Sequence, residues 1–289
     1  MASLRQLKQR IRSVKNTKQI TKAMQLVAAS KMRRAQEADK AAAPYSRAAS
    51  ELLTYLASQG VTDTHPLFTK RTVKSRLFIL ITSDKGLVGS YNANVFKAYL
   101  RELSADKAAG IQNHTLAIGR KAAQFVTRLK DVDVVGAYEH LPDHPDGSEL
   151  RAIFDTARRL FEAGEVDAVD VIYTEFKSSI NQQVVSARVL PAGFTETEVT
   201  EAVREALYEP GIETVLNAVA YRLVEAQIFQ AFLDAKASEY SMQMIAMKNA
   251  TDNATELSED LTLEMNKVRQ GAITQELAEI SGGVEALSE

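Results

Sequence analysis

Leu77-Phe78-Ile79-Leu80-Ile81-Thr82 (LFILIT) is the stretch from which the rest of the chain can be ordered. Five apolar residues stand in a row, with no polar residue at alternate positions. A strand with one wet face would alternate, so this one predicts a short strand buried on both faces. Downstream, strand and helix patterns take turns. Residues 92–103 read as an amphipathic helix, 115–119 as a strand, 120–130 as a helix and 132–135 as a weak strand. Residues 148–163 read as a helix with Ser148 at its N-cap, and 168–174 and 184–190 as further strands. This alternation predicts a parallel α/β sheet with helices on its faces. Residues 60–75 and the acidic stretch 194–200 read as linkers.

Outward from this middle, both ends are long helical patterns. In the first, over residues 3–58, Leu4, Leu7, Ile11 and Val14 recur at spacings of 3 and 4 and form a coiled-coil seam. The seam is expected to continue through Ile20, Met24, Val27 and Met32. Ser3 suits the N-cap, and Pro44 predicts a kink or short break. The second pattern follows Glu209-Pro210-Gly211 and runs to about residue 287. Its first stripe is Ile212, Val215, Val219, Leu223, Ala226, Phe229 and Leu233. A heptad then sets in with Met244, Met247, Thr251, Ala254, Ser258, Leu261, Met265, Val268 and Ala272. At ~1.5 Å per residue the two helices would span roughly 80 and 110 Å, more than a compact domain needs. The simplest packing is an antiparallel coiled coil with the α/β domain at its base. That gives an N-terminal helix (1–60), an α/β domain with flanking linkers (61–208) and a C-terminal helix (209–289). The second seam is too polar for two free helices, so either the other helix wraps it imperfectly or a surrounding partner shields it.

Of the 289 residues 45% are hydrophobic and 25% charged, the balance of a folded soluble domain. Cysteine is absent, which excludes disulfides, thiolate metal sites and thiol catalysis. No apolar run reaches the ~18 residues of a membrane span. The net charge is only −2, but it is unevenly placed. Ten basic residues (Arg5, Lys8, Arg10, Arg12, Lys15, Lys18, Lys22, Lys31, Arg33 and Arg34) precede the first acidic one, Glu37. Residues 212–289 carry thirteen acidic and five basic residues. Three readings of the basic head stand: nucleic-acid binding, a transit peptide, or a solvated or partner-facing helix face. The continuous apolar stripe and the lack of aromatic residues before Tyr45 favour the last.

Few residues suggest catalysis. Residues 83–92 (SDKGLVGSYN) join a strand to a helix, where an α/β fold can hold a phosphate. Gly86 and Gly89 do not make the dinucleotide fingerprint, and no Gly-Lys-Ser/Thr follows, so a tight structural turn is favoured. His140 and His144 are four apart, but Pro142 and Pro145 keep them off a regular helix, so a surface loop is favoured over a metal site. His65 and His114 stand alone. Met242, Met244 and Met247 read as helix packing. An α/β enzyme with helical arms and a coiled-coil nucleic-acid binder remain as competing readings.

Four stretches carry a resemblance. Residues 20–32 (ITKAMQLVAASKM), the turn 83–92, residues 246–254 (AMKNATDNA) and residues 266–282 (NKVRQGAITQELAEISG) resemble signatures of the gamma subunit of the rotary F-type ATP synthase, bacterial type. They occur in order and span the chain. The resemblance implies a central rotor shaft that couples rotation of the membrane c ring to conformational cycling of the catalytic beta subunits, for ATP synthesis or hydrolysis. It implies an antiparallel coiled coil of the terminal helices inside an alpha–beta hexamer. It also implies a Rossmann-like α/β domain without a nucleotide site, beside the epsilon subunit and on the c ring.

Residue by residue, the resemblance implies that Arg269, Gln270 and Thr274 contact the catch loops of beta. Lys31, Arg33 and Arg34 would face acidic beta loops along the shaft, with Met24 in the packed neck. Tyr208 and Glu209 would lie near the polar loops of the c ring, and residues 273–287 would form an apolar axle. No catalytic residue, cofactor or metal is implied. Gln243 stands where the family often has Arg, and the cysteine-bearing redox insert of chloroplast members is missing. The shaft helix starts at the beginning of the sequence, which suggests a bacterial protein, peripheral on the cytoplasmic face of the inner membrane.

Overall fold

The structure is a computed structural model that describes residues 3–62, 65–130, 132–143, 147–193 and 197–288. The chain divides into two compact units. One is Met1–Val27 with Met244–Glu289, and the other is Ala28–Gln243. Helices α1 (Leu4–Ser58) and α6 (Ile212–Ser288) each contribute to both.

The larger unit is built on the strand expected at LFILIT. Strand β1 (Ser75–Ile81) is followed by α2 (Tyr91–Ala109), β2 (Gln112–Ile118), α3 (Arg120–Val126), β3 (Asp133–Tyr138), α4 (Ser148–Glu162), β4 (Ala168–Phe176), β5 (Gln182–Leu190) and the short α5 (Glu201–Arg204). The sheet order is β3-β2-β1-β4-β5. β1 pairs in parallel with β2 and β4, and β2 with β3. β5 departs from the all-parallel expectation by running antiparallel to β4. The short connection between these strands explains this, because a parallel return would need a crossover of a dozen or more residues.

Alternate residues of β1 feed two cores. Leu77, Ile79 and Ile81 pack with Leu116, Val169 and Val171 under α4 (Ile153, Phe154, Phe161) and α6 (Ala220, Val224, Ile228, Phe232). Phe78 and Leu80 face the other way, onto Val95 and Tyr99 of α2 and Ala122 and Val126 of α3. Central strands covered on both faces must be apolar throughout, which is why LFILIT does not alternate. An ion-pair network crosses the second face. Arg76 binds Asp170, Asp106 (3.0 Å) and Glu102 (3.4 Å), and Arg188 also binds Asp170.

Several local expectations are corrected. Gly147, not Ser148, holds the N-cap of α4, at φ 94°, where glycine avoids the strain of a Cβ. The stretch 60–75 is more than a linker. It holds a 3-10 turn, Pro66–Phe68, with Leu67 fully buried. His65 is buried as well, and its Nδ1 accepts from Leu67 N (3.2 Å). Of the linker at 194–200, residues 194–196 lie outside the described residues, and so does His144. Pro44 does not break α1. It is exposed, so water can reach the carbonyl of Lys40 that the missing N–H leaves unpaired. The Ile212 stripe holds in part: Val219, Leu223, Phe229 and Leu233 pack inward, but its first residue does not. Ile212 is exposed, while Leu216 and Leu223 pack against Ala49, Leu53 and Leu56 of α1. Between α1 and the sheet, α6 therefore buries two faces.

In the smaller unit α1 and α6 run antiparallel. Leu7 and Ile11 pack with Leu261, Met265 and Val268. The hydroxyls of Thr21 and Thr251 lie 2.8 Å apart. Ser3 caps α1 reciprocally: Gln6 N donates to Ser3 Oγ (3.3 Å) and Ser3 N to Gln6 Oε1 (2.9 Å). The heptad of α6 is buried at Met247, Thr251, Ala254, Ser258 and Leu261, whereas Ala272 is exposed. The α1 seam takes another course than expected. Ile20 and Val27 are mostly exposed; the next buried positions after Val14 are Thr21 and, in the part of α1 that belongs to the larger unit, Ala28 and Ala35. The seven-residue step from Leu7 is kept. Thr and Ala at those steps allow close backbone approach, and the bulkier residues point outward.

Candidate interaction surfaces

Ligands in open α/β sheets sit outside the carboxyl ends of the strands, where the strand order reverses. Here that point is the end of β1, between β2 and β4. The turn 83–92 there is tied into itself. Ser83 N donates to Asn92 Oδ1 (3.1 Å), Asn92 Nδ2 donates to Ser83 Oγ (2.8 Å), and Ser83 Oγ donates to Lys85 O (2.6 Å). Asp84 Oδ1 accepts from Arg120 N at the start of α3 (2.9 Å) and from His140 N (3.1 Å). A carboxylate of this turn thus already caps the N-terminus of the neighbouring α3.

The crevice itself is filled by α6. Tyr91 hydroxyl donates to Ala235 O (3.1 Å), Ser238 Oγ to Thr174 O (3.0 Å) and Ser241 Oγ to Ser179 O (2.7 Å). Met242 lies 3.7 Å from where a Cβ on Gly89 would stand. The α/β body uses its ligand cleft to hold its own helix. Burial pushes the Tyr91 hydroxyl well above the usual tyrosine range, with Glu239 adding to the rise. It therefore stays a neutral donor. No group of three or more metal-type ligands occurs among the described residues, and His140 is largely exposed beside Glu139.

The residues singled out by resemblance fall in three places. Arg269, Gln270 and Thr274 lie together on one exposed stretch of α6, where Thr274 Oγ1 donates to Gln270 O (3.0 Å). Next to them Ile273, Leu277 and Ile280 repeat at helical spacing and are 50%, 59% and 64% exposed. Side chains beyond residue 281 on the expected axle lie outside the described residues. On α1, Met24 is half-buried and Arg33 and Arg34 are exposed. Lys31 is engaged within the chain, by Asp143 at 2.5 Å and by the Tyr240 ring at 5.5 Å. Tyr208 stacks on Tyr55 (centroids 5.8 Å apart, 18° between planes) and donates to Val203 O (2.6 Å). Beside it, Glu209 is exposed and Leu207 is 91% exposed.

Sequence reasoning did not single out Asp143, Lys236, Glu239 or Tyr240. Lys236 and Glu239 pair at 3.1 Å while both are buried. Burial raises the Glu239 carboxyl, and Lys236 opposes the rise. Their opposite charges at i,i+3 spacing were the available signal.

Arg5, Lys8, Arg10, Arg12, Lys15 and Lys22 are exposed on α1, as expected of a solvated or partner-facing helix face. No described helix is long and apolar enough to cross a membrane.

The whole chain has counterparts among known proteins. The family model described as ATP synthase matches residues 3–287. The ATP synthase gamma chain of Desulfitobacterium hafniense is 41% identical over 287 residues, 99% of this chain and 100% of the relative. That of Stenotrophomonas maltophilia is 38% identical over 288 residues, again 99% and 100%. Among solved structures, the central stalk and c ring of Tetrahymena thermophila mitochondrial ATP synthase supplies a chain with a TM-score of 0.62 and 26% identity. The match covers 80% of this chain and 99% of that one. A chain of the Euglena gracilis mitochondrial enzyme shares the fold, with a TM-score of 0.66 at 18% identity over 98% of this chain and 94% of that one. Helix-filled cleft, antiparallel helices and full-length similarity together place the chain in the ATP synthase gamma chain family.

Proposed function

We propose that this chain is the central rotor shaft of a proton-translocating ATP synthase and is itself non-catalytic. The observation that carries this reading is similarity to bacterial gamma chains over 99% of the sequence. Its partners are then the alpha and beta subunits of the hexamer, the epsilon subunit and the c ring. It is peripheral on the cytoplasmic side of a bacterial inner membrane. In functional terms residues 1–60 and 209–289 are shaft helices and 61–208 the base.

Coupling follows from an asymmetric shaft. Each angle stabilises a different combination of beta-subunit conformations, so rotation shifts populations at the catalytic sites. Arg269, Gln270 and Thr274 form the catch toward beta. Met24, Lys31, Arg33 and Arg34 are the contacts lower on the shaft, and Tyr208 and Glu209 meet the c ring. Exposed ion pairs suit such contacts because each is weak, about 0–1 kcal/mol, and can be remade at every step.

The test is reconstitution with alpha and beta subunits of a matching source. The expected product hydrolyses ATP and holds one copy of this chain for every three beta subunits. A chain left unassembled while a known gamma subunit assembles would remove the rotor assignment. In the active complex, Arg269→Ala with Gln270→Ala should lower turnover about tenfold, the effect of ~1.4 kcal/mol lost from a charge-assisted contact. Steady-state hydrolysis measures it.

A further inference from the structure

Asp143, on the segment that follows β3, touches both long helices within the larger unit. Its Oδ2 accepts from Lys31 Nζ of α1 at 2.5 Å. Its Oδ1 accepts from the hydroxyl of Tyr240 on α6. Lys31 Nζ also lies 5.5 Å from the centroid of the Tyr240 ring, which closes a triangle of three elements. Tyr240 is buried, while Lys31 and Asp143 are partly exposed at the rim. Burial alone would raise the Asp143 carboxyl, but the bonds from Lys31 and Tyr240 hold it below the usual carboxylate range, so it remains an anion.

The surroundings give this triangle a mechanical meaning. Many nearby buried positions are small, Ala28 and Ala35 on α1 and Ala235, Ala237, Ser238 and Ser241 on α6, with the larger Lys236, Glu239 and Tyr240 set among them. Small side chains raise shallow ridges, and apolar contact is non-directional, so such surfaces resist separation better than sliding. Charge-assisted hydrogen bonds are directional; the one from buried Tyr240 is strong for its size, and the partly exposed one from Lys31 is weaker. With the bonds of Tyr91, Ser238 and Ser241 between α6 and the α/β body they add resistance to twist, and Asp143 extends it to α1.

We propose that Asp143 is a torsional tie, a positioning residue that fixes the angular setting of α1 and α6 against the α/β body. The proposal rests on the rotor reading. Torque entering through the α/β body reaches both helices through this carboxylate with little slack. Lys31, 36% exposed, thereby has an internal partner while its open side stays with Arg33 and Arg34 on the face toward beta.

The experiment is an angular-fluctuation measurement. The complex of this chain with alpha and beta is fixed by its hexamer, a bead is attached to the α/β body, and the angular distribution is recorded during a nucleotide-binding pause. Asp143→Ala should broaden the distribution while the hydrolysis rate is unchanged. Tyr240→Phe, which keeps the packed ring, should broaden it less. The charge swap Lys31→Asp with Asp143→Lys should narrow it again. A residue that serves only the fold would change thermal stability without this pattern. A distribution of wild-type width in both Asp143→Ala and Tyr240→Phe would overturn the tie alone, and so would a swap as broad as Asp143→Ala. A wild-type chain that neither assembles nor rotates would overturn the rotor reading and the tie with it.

Discussion

Gly119 shows how one residue can close the end of a sheet. It sits between β2 and α3 at φ 92°, and a Cβ there would run into the carbonyl oxygen of Thr82. Thr82 in turn is bound at both ends. Its N–H donates to Ile118 O (2.9 Å), and its Oγ1 accepts from Ala122 N (2.7 Å). Neither neighbour can move aside cheaply. Gly119→Ala should therefore cost about 2–4 kcal/mol, seen as a lowered thermal midpoint of the purified chain. The glycine itself was visible in the sequence, but its reason was not, because the residue it would strike lies 37 positions earlier. Asp143 was hidden in the same way, since its partners are 112 and 97 residues away. Local cues fared better. Ser3 announced its cap, because the matching Gln6 is only three residues on.

At the scale of the element, the heptad of α6 was legible because its large residues, Met247 and Leu261, fall on the buried side. The matching stripe of α1 was misread for the converse reason. Bulk and burial part company there: Ile20, Leu26 and Val27 face outward and Thr21 inward. Strand direction was missed at β5, since a period of two looks the same in either orientation. The threonine pair offers a test of the polar seam. Thr21 Oγ1 donates to Lys18 O (3.1 Å) and lies 2.8 Å from Thr251 Oγ1, whose single hydrogen is shared between Thr21 and Met247 O (2.8 Å). Thr251→Val alone should cost about 1 kcal/mol, and adding Thr21→Val should recover most of it. A double-mutant cycle on thermal unfolding reads the coupling directly.

For the whole molecule, what the sequence made plain was architecture: two long helices, a sheet with helices on both faces, and a turn with no nucleotide fingerprint. What it hid was the use of the cleft, because nothing local says that residues 235–242 of the last helix lie over the ends of the first and fourth strands. The exposed stripe Ile273, Leu277 and Ile280 has a consequence for handling the chain alone. Apolar side chains at helical spacing pair with copies of themselves at high concentration. Ile273→Ser, Leu277→Ser and Ile280→Ser together should reduce concentration-dependent self-association in sedimentation, and should weaken assembly with alpha and beta. The continuity of α6 carries a different consequence, about inheritance. Between Leu216 and Ala235 this helix offers one side to α1 and another to the sheet. One residue added near the middle of that stretch, before Phe232, would turn every later side chain by about 100° and swing Phe232 off the sheet. Among descendants of this gene, letters in that stretch can be exchanged, but their number cannot, so gaps in it should be purged even where spelling drifts.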